Sequence, residues 1–140
     1  MFTKILVAND GSTSAGKAVE VAADLVARSK AELWSISVED NLPKYPGAIG
    51  EVQEVKAAGD GYFARVNEEA TALAATKGVE LKHEVRAGQA AETIAEYAHE
   101  KGADLLVIGS ADHSALLARF IGSTSQDLMR LSPCGVLVVK

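Results

Sequence analysis

The feature that most constrains this chain is an alternation. Five short apolar runs rich in β-branched residues are separated by longer stretches with helical spacing. The runs are KILVA (4–8), ELWSISV (32–38), ELKHEVR (80–86), DLLVIG (104–109) and GVLVVK (135–140). In the first intervening stretch Ala15, Ala18, Ala22, Leu25 and Ser29 recur at three and four residues, and Val19 and Val26 widen the stripe. Tyr62, Val66, Ala70 and Leu73 mark a second helix, Ala91, Ile94, Ala95 and Ala98 a third, and QDLMRL after Ser123 a short fourth. Strand and helix in alternation predict a mostly parallel sheet covered on both faces. KILVA and DLLVIG are nearly continuous apolar runs, as central strands require, whereas ELKHEVR alternates and belongs nearer an edge.

Local punctuation agrees. Gly78 follows Lys77 and Gly102 follows Lys101, each reading as a helix C-terminus with a cation at the negative end of the dipole. Ser123 with Gln126 fits a capping box. The segment EDNLPKYPGAIGEV (39–52) has two prolines, two glycines and no period. It is longer than an ordinary connection and reads as a lid or a mobile loop.

The 140 residues suffice for one domain. With 48% apolar residues but only 5% aromatics, the core must be built from Ala, Val, Leu and Ile. A net charge of −5 without a basic block argues against a nucleic-acid partner. The only cysteine, Cys134, rules out an internal disulfide and reads as a small buried hydrophobe. The opening MFTKILVAND is too short an apolar run for a signal peptide or a membrane span. The expectation is a soluble cytoplasmic protein with no membrane contact.

After the first run, Gly11, Gly16 and Lys17 have the spacing of a Walker A phosphate loop. Two features argue against it. Ala18 stands where the Mg²⁺-binding Ser/Thr should be. The apolar stripe already begins at Ala15, so Gly16 and Lys17 fall inside a helix, Gly16 as a small residue on a packed face and Lys17 in solvent. What remains is ANDGS: a strand end, a carboxylate, a tight glycine turn and a serine able to cap a helix. If the first strand is central, Asp10 lies in the crevice where open parallel sheets bind ligands, able to hold ribose hydroxyls or a metal, or merely to order its turn. The last third holds a second glycine cluster. A strand ends at Gly109, and Gly122-Ser123 opens the final helix, where the N–H groups of Ser123 and Thr124 form an anion site.

KILVANDGS, then VRAG and AAETI, then DLLVIGS…FIGSTSQDLMRLSPCGVLVVK, in that order along the whole chain, resemble the universal stress protein family. The resemblance implies a single domain over 1–140 and an open five-stranded parallel sheet of order 3-2-1-4-5. Such a sheet has helices on both faces and is Rossmann-like, of the adenine nucleotide alpha hydrolase-like kind. It also implies a homodimer, which the apolar C-terminal strand 135–140, an edge in that order, would suit. One branch of the family binds ATP through G-x-x-G, nine residues, then G-S/T. Gly109 matches the first glycine, and Gly122 and Ser123 the last pair, but Asp112 replaces the second glycine. A carboxylate about 4 Å from a phosphate charge would be repelled by about 4 kcal/mol at an effective dielectric of about 20; a bridging Mg²⁺ would reverse the sign. By the same resemblance Asp10 is the carboxylate after strand one, Val38 falls where the backbone reads adenine, and Ala8 lies under the base. Asn9 departs from the usual apolar residue, Gly88 makes a turn, and His113 and Arg119 fall near the phosphates.

The histidines, His83, His99 and His113, lack metal-ligand spacing, and neither Ser12 nor Ser123 sits in a nucleophile elbow. No catalytic residue is expected. Three functions stay open. The first is a regulatory dimer binding ATP, AMP or another adenine nucleotide, with Mg²⁺ and at most slow hydrolysis. The second is the same scaffold without a cofactor, acting through protein partners. The third is a nucleotide hydrolase or transferase using an Asp10–Asp112 metal pair.

Overall fold

The computed structural model describes residues 2–39, 49–110 and 124–140, with residues 49–60 by their backbone alone. The order is β1 (Lys4–Ala8), α1 (Thr13–Ser29), β2 (Glu32–Glu39), α2 (Ile49–Thr76), β3 (Leu81–Ala87), α3 (Ala90–Lys101), β4 (Leu105–Gly109), a helix α4 over 124–131, and β5 (Gly135–Val139). The five strands form one parallel sheet in the order β3-β2-β1-β4-β5. Both the α/β class and the strand order are therefore as expected, with ELKHEVR and GVLVVK at the two edges.

Strand alternation divides the interior in two. Ile5 and Val7 of β1, Leu33 of β2 and Val107 of β4 face α1 and α2, where Ala18, Val19, Ala22, Val26, Ala70 and Ala74 meet them. Leu6, Ile36, Leu106 and Ile108 face the other way, against Ala91, Ile94, Tyr97 and Ala98 of α3 and Leu128 of α4. The small residues of α1 let that helix lie close to the sheet; Ala18, Ala22 and Ala23 are fully buried.

Several local expectations shift. Gly16 is exposed, with open space around its Cβ position, so it is not on a packed face; Lys17 is exposed as expected. Ser29 is exposed too, its hydroxyl turned back to the Leu25 carbonyl. In α2 the core place assigned to Tyr62 belongs to Phe63, and Tyr62 is 41% exposed. Residues 49–52, grouped with the irregular segment, belong to α2, and Glu39 ends β2; residues 40–48 lie outside the described residues. Gly102 and Gly78 take left-handed conformations after α3 and α2, but α1 ends on Lys30, a non-glycine at φ 60°. Cys134 is half-buried against the α3-side cluster.

Candidate functional site

β1 lies between β2 and β4, where the strand order reverses, so its carboxyl end opens onto a crevice. A cleft of about 220 Å³ sits there. One wall is apolar: Ile36 and Val38 of β2, Ile108 of β4, Ala90 and Ile94 of α3, and Leu128 of α4. A polar rim comes from Asn9, Asp10, Ser12 and Ser14, around the turn into α1, and from Thr124 and Ser125 at the start of the described part of α4. Among the described lining residues Asp10 carries the only charged side chain.

The turn that presents Asp10 is tied down on all sides. Asn9 is buried. Its N–H donates to the Ile36 carbonyl at 2.9 Å, and its own carbonyl accepts from the Ser37 hydroxyl at 2.6 Å. The first of these bonds extends the β1–β2 ladder beyond the strand, and the second ties the same peptide to a β2 side chain. The Asn9 side-chain oxygen accepts from the Gly11 N–H at 3.1 Å. An apolar residue at position 9 has no such acceptor, which explains the polar residue there. Asp10 Oδ1 accepts from the Ser12 N–H at 2.9 Å, an Asx turn. Gly11 follows at φ +84°, and Ser12 caps α1 by accepting from the Ala15 N–H at 3.2 Å. The helix is thus under way before Gly16 and Lys17, and no phosphate loop forms there.

Gly109 closes the other side. A Cβ on it would lie 2.5 Å from the Ser14 carbonyl oxygen and 2.6 Å from that carbonyl's carbon. Only glycine lets the first turn of α1 approach the end of β4 so closely. Gly88, the expected turn glycine, sits at φ +148° just after β3, its N–H donating to the Glu39 carbonyl at 3.1 Å.

The expected residues Ala8, Asp10, Val38, Gly109 and Thr124 therefore converge on one cleft. Asp112, Gly122, Ser123, His113 and Arg119 lie outside the described residues, and with them the proposed anion pair and the Asp10–Asp112 metal pair. Ile36, Ile94, Ile108 and Leu128 were legible only as core, yet their ends form the apolar wall. The signal available was positional: each sits near the carboxyl end of a strand or the start of a helix. His83 and His99 are exposed on separate elements, and among the described residues no group of three or more potential metal ligands occurs. Nor is any helix among them long and apolar enough to cross a membrane.

The universal stress protein family model matches residues 1–140. A universal stress protein of Bacillus subtilis, YxiE, is 34% identical over 154 residues, covering all of both chains. Among solved structures, the universal stress protein UspA from Lactobacillus plantarum superposes with a TM-score of 0.88 at 27% identity, covering 99% of this chain and 98% of that one. A universal stress protein in complex with cAMP superposes with a TM-score of 0.78 at 26% identity, covering 99% and 97%.

Proposed function

The chain belongs to the universal stress protein family, and from that premise we propose that it is a regulatory protein binding an adenine nucleotide in the cleft at the carboxyl end of β1. The observation that carries this reading is the division of the cleft into an apolar slot and a polar rim with a fixed carboxylate. A nucleoside has the same division: a flat base that gains from leaving water and a sugar that needs hydrogen-bond partners. Val38, Ile36 and Ala8 hold the base, Asp10 accepts from ribose hydroxyls, and Gly109 and Thr124 border the path of the phosphates, with Gly122 and Ser123 next in the chain. The related structure holding cAMP supports the same ligand class.

ATP with Mg²⁺ and AMP are the ligands to test, in the cytoplasm as the working compartment. Asp10 is engaged by the ribose in this reading and the described rim has no other candidate general base, so ATP turnover is slow or nil. Calorimetry and thermal melts with AMP, and with ATP with and without Mg²⁺, test it. At a hundredfold excess over Kd a ligand adds about 2.7 kcal/mol to stability, readily seen in a melt. Absence of any shift at millimolar AMP and ATP sinks the reading. Asp112, in place of the second glycine, favours a second reading in which the cleft takes no nucleotide; Asp112→Gly then gains an ATP-dependent shift that the parent chain lacks.

A further inference from the structure

Tyr62 is assigned to the core by helical spacing, but the fold gives it a different place. Phe63 is the buried member of the pair at 8% exposed, its ring standing edge-on to that of Tyr62 at 5.1 Å. Tyr62 instead reaches across from α2 to the turn after β1. Its hydroxyl donates to the Asp10 carbonyl oxygen at 2.7 Å. Its ring covers Gly11, where a Cβ would fall 2.2 Å from the Tyr62 oxygen and 2.7 Å from a Val66 methyl. Gly11 therefore needs to be glycine twice over, for its positive φ and for the tyrosine above it.

Burial of apolar surface does not account for this arrangement, because a phenylalanine would cover Gly11 equally well. The hydroxyl makes the specific contact, and its acceptor belongs to the one charged residue of the described cleft lining. Burial, and after it the Asp10 carboxylate, raise the phenol above its usual value, so the hydroxyl remains a donor at neutral pH. Asp10 is then held twice: its carbonyl from α2, its carboxylate by the Ser12 N–H.

We propose that Tyr62 is a positioning residue of the cleft, clamping the Asp10–Gly11 turn so that the Asp10 carboxylate meets a ligand already oriented. The consequence for binding rests on the nucleotide reading above; the clamp itself does not. Preorganising a group in its bound geometry strengthens binding by removing the cost of ordering it.

The test compares the full chain with Tyr62→Phe, which keeps the ring, and Tyr62→Leu, which removes it. Native-state amide exchange at Gly11 and Ser12 reads the turn, and amides of β1 and β4 serve as internal references. In Tyr62→Phe the two turn amides exchange about tenfold faster while the strand amides are unchanged. AMP, used as the probe, binds about three- to tenfold more weakly, with a thermal midpoint within a few degrees of the parent; Tyr62→Leu shows the same direction with a larger effect. Unchanged exchange in Tyr62→Phe overturns the clamp, and faster exchange with unchanged AMP affinity overturns its role in positioning Asp10 for the ligand. If the parent chain binds neither AMP nor ATP, the nucleotide reading falls, and the exchange result alone upholds or overturns the clamp.

Discussion

Gly109 leaves no space for a methyl group, and the obstacle is the backbone of Ser14 rather than a side chain that could swing away. Gly109→Ala must push α1 off β4 at the very edge of the cleft. The expected cost is about 1–3 kcal/mol, seen as a lower urea midpoint, together with weaker AMP binding. Gly16→Ala is its control: the site is open and helical, so the same substitution is stabilising or neutral there. Tyr97 presents the opposite case, a large side chain with a group it does not use. It is fully buried, and its hydroxyl has no hydrogen-bond partner among the described residues. Burial, and then the Glu84 carboxylate, push its phenol up to about 12, against an ordinary value of 10.0. Tyr97 therefore contributes stability that is complete below pH 10 and lost as pH rises through about 12. Tyr97→Phe keeps the ring under the Arg86 guanidinium, 4.7 Å from its centroid. It holds or raises the thermal midpoint at pH 8, and it removes part of the alkaline loss of stability, which urea titrations at pH 8 and pH 10.5 measure. A steeper alkaline loss in the variant would contradict the assignment.

Elements are joined at their ends by polar contacts that periodicity does not register. At the amino ends of β1 and β4, Asp104 accepts from the Thr3 N–H at 2.7 Å, the Thr3 hydroxyl at 2.9 Å and the Lys4 N–H at 3.1 Å. Burial alone would raise the Asp104 carboxyl, but these hydrogen bonds hold it below the usual 3.8. A lowered carboxyl value gives stability that is present above pH 3.8 and lost as pH falls through the folded-state value. Asp104→Asn costs about 1–2 kcal/mol at pH 7, and the gap to the parent chain narrows at pH 3; urea midpoints at the two pH values check both parts. At the β3 edge, long cationic side chains lie over the aromatic rings of the α3-facing side. Lys82 and Lys101 lie 5.0 and 4.9 Å from the Trp34 ring centroid, and Arg86 pairs with Glu84 and Glu100 while lying over Tyr97. The alternation in ELKHEVR already announced an edge; that its polar half shields two aromatics was not visible in the run itself.

On the scale of the molecule, the sheet ends on β5, whose outer side pairs with no strand among those described. Leu137 on it is 37% exposed, and Met129 and Leu131 of the preceding helix are 57% and 42% exposed. An apolar, unpaired parallel edge invites a second copy, and the same strand on both chains closes at two. We infer a homodimer through 135–140. Leu137→Lys shifts it to monomer in light scattering at micromolar concentration while leaving the melt of the monomer within a few degrees; a parent chain already monomeric at that concentration removes this edge as an interface. The cleft opens at the carboxyl ends of the strands, away from this edge strand's outer side, so AMP affinity is expected to survive the substitution.

By itself the sequence determined the class of fold, because the period of its apolar residues changes from two to 3.6 wherever strand gives way to helix. It determined the edge character of ELKHEVR, the glycine ends of α2 and α3, Thr124 of the cleft through the start of the last helix, and, through resemblance to a family, the strand order and the cleft residues Ala8, Asp10, Val38 and Gly109. Tertiary structure decided what one-dimensional spacing leaves open. Which of two adjacent aromatics, Tyr62 or Phe63, goes inside depends on the rotation of α2 about its own axis. Gly16 could be counted as packed because three-residue spacing does not say where a helix face ends. The wall of the cleft joins Ile36, Ile94, Ile108 and Leu128, which only the convergence of helix starts and strand ends at a reversal in strand order brings within reach of one ligand.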